Sequence, residues 1–200
     1  MYSPNDFIAT DGVVQFIQDT AQGILLSIDG GRIEATHIPF IYEPDNSQGR
    51  LFGHMARNNP QWHNLNGMEV LVIFQGPHTY ISPAWYKQSD VPTWNYAVAH
   101  VRGVFNVIEN EAEQLELLEK SVEAFESEGG WTLEKLAGGT GHLLPHIVCF
   151  EIKIDSIEGK YKLSQNRSTA DQQSVIENLE QEGEAMQLAI AQLMRKRLKV

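Results

Sequence analysis

Cysteine is nearly missing from this chain: Cys149 stands alone among 200 residues. One thiol cannot close an internal disulfide, so no disulfide framework holds the fold, and a reducing cytoplasm is the expected setting. Its neighbours Ile147, Val148 and Phe150 are apolar, which makes packing the expected role of the thiol. No run of eighteen apolar residues occurs, so no membrane-spanning helix is expected. The opening Met-Tyr-Ser-Pro-Asn-Asp has neither the basic nor the apolar stretch of a secretory signal. Positive charge is scarce too: 15 Lys and Arg face 26 Asp and Glu, a net charge of −11. A phosphate backbone repels such a surface unless the cations cluster, so DNA is only a weakly supported partner. The one basic cluster, Arg195, Lys196, Arg197 and Lys199, ends a predicted helix, where cations complement the helix dipole.

What is present reads as an ordinary globular chain, with 42% hydrophobic and 20% charged residues. Thr10-Asp11 caps a predicted helix to about Asp19. Gly23 to Ile28 and Arg32 to Tyr42 read as strands joined by the hairpin signal Asp29-Gly30-Gly31. After the loop Asp45 to Gly49, Arg50 to His54 reads as a short strand and Met55 to Trp62 as a short helix. Two strand-turn-strand units in succession predict an antiparallel meander. Glu69 to Gln75, a continuous apolar run, predicts a strand buried on both faces. Trp94 to Ile108, with Val98, Val101, Val104 and Val107 along it, and Ile147 to Ile157 are further strands, with an aromatic-rich loop from Pro83 to Thr93. Leu115, Leu118, Val122 and Phe125 share one face of an acidic helix over Glu111 to Glu128. A last helix starts at Ser168 or Asp171 and is interrupted near Gly183. The sum is six or seven strands in a mainly antiparallel β (α+β) fold with peripheral helices, for which a small β-barrel is the preferred architecture and an α+β sandwich the alternative. Residues 1–170 form the expected domain and 171–200 a helical extension.

Several tracts are too polar and too aromatic for plain strands and loops. They are Thr36 to Phe40, Gly53 to Trp62, Tyr80 to Tyr86, Val91 to Tyr96, and Gly159 to Arg167. Each mixes hydrogen-bond donors with flat rings or prolines, which suits a planar ligand that carries a phosphate. Together, GHMARNNPQW, FQGPHTYISPAWY, VPTWNY and EGKYKLSQNR resemble the PaiB-like family of FMN-binding negative transcriptional regulators, from Met1 to about Leu179.

The resemblance implies an antiparallel split β-barrel of the FMN-binding type and a homodimer with FMN sites near the subunit interface. It places cofactor contacts at Thr36, His37, Ile38 and Pro39 on one strand and at His54, Ala56 and Arg57 after the next. Arg57 is the expected phosphate ligand, since its guanidinium fork matches an oxyanion and the predicted helix beside it would add backbone N–H groups. A structural ion pair with one of the many acids is the alternative. Asn95 is expected to read the flavin edge, and Lys162, Ser164 and Gln165 to close the site. Trp85, Tyr86, Trp94 and Tyr96 are expected in the core or at a dimer interface. The tract Thr20 to Leu26 departs from the proline- and aromatic-containing entry usual in the family.

Other chemistries find little footing. His142 and His146 are four apart, but Gly141 and Pro145 argue against a helix, so no metal site is expected. Ser82 lacks a nucleophile elbow, and Gly138 to Gly141 lacks the Lys-Ser/Thr of a phosphate loop. The family points to regulation. A flavin-dependent oxidoreductase acting on a small molecule is the alternative, since the fold alone does not decide.

Overall fold

The computed structural model describes residues 1–87 and 91–198, so Lys199 of the basic cluster and part of the Pro83–Thr93 loop lie outside the described residues. In chain order the elements are β1 (Ile8–Ala9), α1 (Val13–Thr20), β2 (Gln22–Asp29), β3 (Arg32–Pro39), β4 (Ile41–Glu43) and β5 (Arg50–Ala56). They continue with β6 (Glu69–Ile81), β7 (Thr93–Val107), α2 (Glu111–Phe125), β8 (Ile147–Lys162), α3 (Thr169–Glu182) and α4 (Ala185–Arg197). The strands hydrogen-bond in the order β3-β2-β6-β7-β8-β5-β4, and β1 pairs with β8. This antiparallel sheet with peripheral helices is the split β-barrel that the family resemblance implies.

The β2–β3 hairpin turns where Asp29-Gly30-Gly31 signals it. Gly30 and Gly31 both take positive φ, 54° and 80°, as a two-residue turn of matching twist requires. The meander does not form. β2 pairs across to β6, Leu25 against Val72, and β5 pairs across to β8, His54 against Cys149. Local turn signals fix hairpins but not these distant pairings. The predicted helix over Met55 to Trp62 is also absent. β5 runs on to Ala56 because its ladder with β8 continues to Ile147, and only a 3-10 turn, Pro60–Asn64, follows. Tertiary pairing overrides local propensity there. β1 and β4, two and three residues long, are why eight strands among the described residues replace six or seven.

The chain divides into two compact units. The larger comprises Val14–Phe74 and His100–Ile157. Its core is aromatic: Phe40 meets Phe74 and Phe150 edge-on, with centroids 5.7 and 6.1 Å apart, and Phe105 stacks on Phe150 at 4.5 Å. β6 alternates here, Val70, Val72 and Phe74 buried and Leu71 and Ile73 half-buried, so it is not sealed on both faces as predicted. Of the valines along β7, only Val101 is buried. A Cβ on Gly103 would lie 2.2 Å from the Lys153 carbonyl, so only glycine lets β7 approach β8 so closely. On α2 the buried residues are Leu117 and Leu118, while Phe125 is 52% exposed, so the inward face is rotated from the predicted one.

The smaller unit comprises Met1–Val13, Gln75–Ala99 and Glu158–Val200. Val175, Ile176 and Leu179 of α3 are buried with Ile190, Ala191 and Met194 of α4. Ser168 caps α3, and Gly183 at φ 74° ends it. The two helices thus share a unit with the chain's first residues and with Gln75 to Ala99, and the expected boundary at residue 170 falls inside α3.

Candidate functional site

In the larger unit, Ile38 of β3 points into the core at 2% exposure, and Gly53 of β5 turns its Cα toward it, within 3.3 Å of the Ile38 Cγ2 for a Cβ placed there. Side chains alternate along a strand, so the residues on either side of this contact face outward. These are His37 and Pro39 on β3 and His54 on β5, all exposed, with Ala56 exposed two residues further on, while Phe52 on the other side of Gly53 is half-buried against Leu117 and Leu118 of α2. Surrounding protein desolvates the His54 imidazole in part and holds its pKa below the ordinary value.

Arg57 follows directly. Its backbone N–H donates to the His146 carbonyl at 2.8 Å, and its side chain donates from Nε to Pro145 O at 2.9 Å and from Nη2 to Ile147 O at 2.6 Å. Among the described residues no carboxylate pairs with it, so the ion-pair alternative is not what forms. Carbonyl oxygens orient the guanidinium without neutralising it, and Nη1 remains for a ligand. In a chain of net charge −11, an oriented cation with no acidic partner is a suitable phosphate anchor. The helix expected to add N–H groups there is missing, so no helix N-terminus stands beside the guanidinium.

Beside this band lies a polar network. Asn59 Nδ2 donates to Thr36 Oγ1 at 2.9 Å, and that hydroxyl donates to Gln61 Oε1 at 2.5 Å. Gln61 Nε2 reaches Ser27 Oγ at 3.0 Å and Leu25 O at 3.2 Å, and Asn59 Oδ1 accepts from Gln61 N at 3.0 Å to cap the 3-10 turn. Thr36 is thereby a half-buried positioning group rather than an open donor. Asn59, Gln61 and Trp62 belong to the predicted tract but were not expected as positioning residues. The Asn59-Pro60 cap was the signal that could have marked them.

The other expected contacts lie in the smaller unit. Asn95 is fully buried and its Nδ2 donates to Ser164 Oγ at 3.0 Å and toward Met194 Sδ at 3.5 Å. Ser164 holds φ 61°, and Gln165 braces that turn, accepting from Leu163 N at 2.6 Å and donating to Tyr161 O. These three form a knot that shapes the backbone, and in this arrangement the Asn95 amide presents nothing to a surface ligand. Lys162 differs: half-buried, it donates to Thr93 Oγ1 and, at 3.0 Å, to Trp94 O. Burial, with Lys160 and Arg167 nearby, lowers its pKa. Tyr86 is buried and Trp85 half-buried, whereas Trp94 is 53% exposed.

Two cations of the basic tail are occupied internally. Arg195 forms a two-pronged pair with Glu180 at 2.7 and 2.8 Å, and Arg197 meets Asp11 at 3.3 Å and lies 4.2 Å from the Tyr161 ring. Among the described residues no helix is long and apolar enough to cross a membrane.

The family described as "Putative FMN-binding domain" matches residues 1–156. The Protease synthase and sporulation protein PAI 2 of Bacillus subtilis is 37% identical over 206 residues, covering 100% of this chain and 99% of the relative. Among solved structures, the flavocytochrome Anf3 from Azotobacter vinelandii superposes with a TM-score of 0.63 at 15% identity, over 77% of this chain and 67% of that one. The FAD and heme binding protein from Mycobacterium smegmatis gives 0.61 at 17% identity, over 78% of this chain and 73% of that one. At these identities the structural likeness speaks to the fold.

Proposed function

Since the chain belongs to the family described as "Putative FMN-binding domain", we propose that it binds FMN on the outward band of β3 and β5, with the phosphate on Arg57. The observation that carries this reading is the oriented Arg57 guanidinium with no carboxylate partner, on a segment inside the family match. His37, Pro39, His54 and Ala56 supply an exposed surface for the ring system, and Ile38 and Thr36 fix the strand behind them from the core side and through Gln61. When bound, FMN supplies hydride or electron transfer, and the chain supplies orientation and charge.

The chain acts as a homodimer in this reading. Ile28, Ile33 and Met68 are 73, 75 and 53% exposed around a largely apolar cleft of about 490 Å³ on the larger unit. A cleft rimmed by exposed large apolar side chains is a surface that gains from being covered. A second copy is the occupant the reading assigns to it.

Regulation is the role that the resemblance to the FMN-binding negative transcriptional regulators implies, exerted in this reading through flavin occupancy and a protein partner rather than through DNA. Arg195 and Arg197 of the basic tail are already paired with Glu180 and Asp11. That pairing also favours the second reading, a flavin-dependent oxidoreductase acting on a small molecule.

The test is an absorbance spectrum after loading with FMN and removing the excess. Flavin bands retained at one per chain, and lost in Arg57→Ala, support the site. No retention at micromolar protein overturns it. Turnover of reduced nicotinamide by the loaded protein would favour the enzyme, no turnover and no binding to duplex DNA would favour regulation through a protein partner, and salt-dependent binding to duplex DNA would overturn the partner route.

A further inference from the structure

The smaller unit carries a cleft of about 480 Å³ that the proposed flavin band does not use. Tyr2, Thr93, Trp94, Tyr96, Lys160 and Lys162 line it. The Trp94 indole is held in place while it stays open to solvent. His78 lies 6.3 Å from it at an interplanar angle of 32°, and Tyr80 meets it edge-on at 6.2 Å. Its 53% exposure leaves much of a large ring against water, where burial would favour folding. A fixed, exposed indole is a surface ready to stack on another ring.

The floor carries two ammonium groups. Lys160 Nζ lies 5.5 Å from the Tyr96 centroid and 5.9 Å from that of Tyr2, and donates to Tyr2 O at 3.3 Å. Lys162 Nζ is held by Thr93 Oγ1 and Trp94 O. Among the described residues neither lysine forms an ion pair. The carboxylate of Glu158 is drawn instead to the Met1 ammonium at 2.6 Å. In a chain with 26 acids and 15 Lys and Arg, two adjacent lysines without a carboxylate are a concentration of unmet positive charge. The lowered pKa of Lys162, caused by burial and then by Lys160, shows the same strain. An anion seated here would relieve the repulsion and gain charge-assisted hydrogen bonds.

We propose that this cleft is a second binding site, for a planar aromatic ligand carrying an anionic group, with the ring on Trp94 and the anion on Lys160 and Lys162. The ring and the charge act together: stacking alone would take any aromatic, and the lysines alone any anion. The site is independent of the flavin reading.

The test is calorimetric titration with 2-naphthoate, on protein free of FMN and on protein saturated with it. The expected result is one site per chain with the same affinity in both. The neutral 2-naphthamide and the ring-free cyclohexanecarboxylate should each bind at least about tenfold more weakly. Lys160→Met should weaken 2-naphthoate by about tenfold while leaving the Lys162 hydrogen bonds intact, so a fold lost in a double lysine variant cannot mask the result. Trp94→Leu should weaken it similarly. No binding at millimolar 2-naphthoate, equal binding of the amide, or displacement of the probe by FMN each overturns the proposal. Because the FMN-free titration stands alone, failure of the flavin site leaves this result readable.

Discussion

Arg57 and Trp62 fix one another: the indole Nε1 donates to the Arg57 carbonyl at 2.9 Å, and the guanidinium lies 5.8 Å from the indole centroid. The residue proposed to hold phosphate is therefore oriented from two sides, by this ring and by the carbonyls of Pro145 and Ile147. Arg57→Ala should raise the FMN dissociation constant by ten- to a hundredfold, about the worth of a charge-assisted hydrogen bond. Arg57→Lys should recover only part, since a point charge lacks the fork. Trp62→Leu should cost a few-fold through lost orientation. Quenching of flavin fluorescence on titration measures all three. If Trp62→Leu costs as much as Arg57→Ala, the indole contacts the flavin itself.

Gln61 is 7% exposed, and its Nε2 faces the oxygens of Leu25 and Ser27. Gln61→Glu replaces that donor with a carboxylate oxygen among acceptors, in a site that penalises charge. The folded state then favours the protonated acid, so its folded pKa lies above the unfolded one. Stability is retained below the unfolded carboxylate pKa and lost as pH rises through the folded one. A loss of about 3 kcal/mol at pH 7, shrinking toward pH 4, is the expected result by urea unfolding. A pH-independent loss would mean that the carboxylate escapes to solvent.

Ala21 sits at φ 50°, the left-handed region, where it ends α1 by donating to Ile17 O at 2.9 Å. A Cβ is strained there and glycine is not. Ala21→Gly should stabilise the chain by about 0.5–1 kcal/mol despite the added freedom of the unfolded state. The midpoint of thermal unfolding reads the sign.

That capping alanine was not legible in the sequence, whereas the Gly30-Gly31 turn was, because glycine advertises positive φ and alanine does not. The long strands β6, β7 and β8 were legible because their apolar runs exceed what a local turn can hide. Their pairing partners were not, since β2 to β6 and β5 to β8 depend on distant chain. The same limit misread Met55 to Trp62, whose first two residues are held extended by Val148 and Ile147. At the site, residue types pointed to Arg57 and Lys162 as open cations. Nothing local distinguished them from Asn95, which the fold buries.

Glu43 accepts from Lys120 at 2.6 Å and from Arg50 at 2.8 Å, and Arg50 also reaches Glu151 at 3.2 Å. The Lys120 hydrogen bond, opposed by burial and helped by the Lys120 and Arg50 charges, holds the Glu43 pKa below the usual carboxylate value. A depressed carboxylate stabilises the fold above its unfolded pKa, and that stability is lost as pH falls through the folded value. Glu43→Gln should cost about 0.5–1 kcal/mol near pH 7, since the pair is partly solvated. The difference from the parent protein should close below pH 4 and narrow in high salt. Paired urea titrations across that range measure it.

Cys149 offers a way to ask whether β5 holds the flavin. It is 1% exposed, and burial, opposed by the Arg57 charge, pushes its thiol up to about 11. A native thiol of that kind is inert at pH 8, so iodoacetamide should label it only through opening of the surrounding strands. Cys149 pairs with His54 in the β5–β8 ladder, and Ala56 pairs with Ile147 at its end. The thiol also packs with Leu117 and Leu118 of α2, so it is freed either by lifting α2 or by an opening that detaches the segment His54 to Arg57 from its partner strand, and Leu117→Ala, which loosens only the first route, tells the two apart. If FMN is bound by that segment, opening must first release it. Labelling should then slow by about a hundredfold at FMN a hundred times its dissociation constant. Labelling that stays unchanged while FMN remains bound, and that Leu117→Ala does not speed, would move the cofactor off β5, because a ligand that does not differ between the closed and opened states cannot shift their balance.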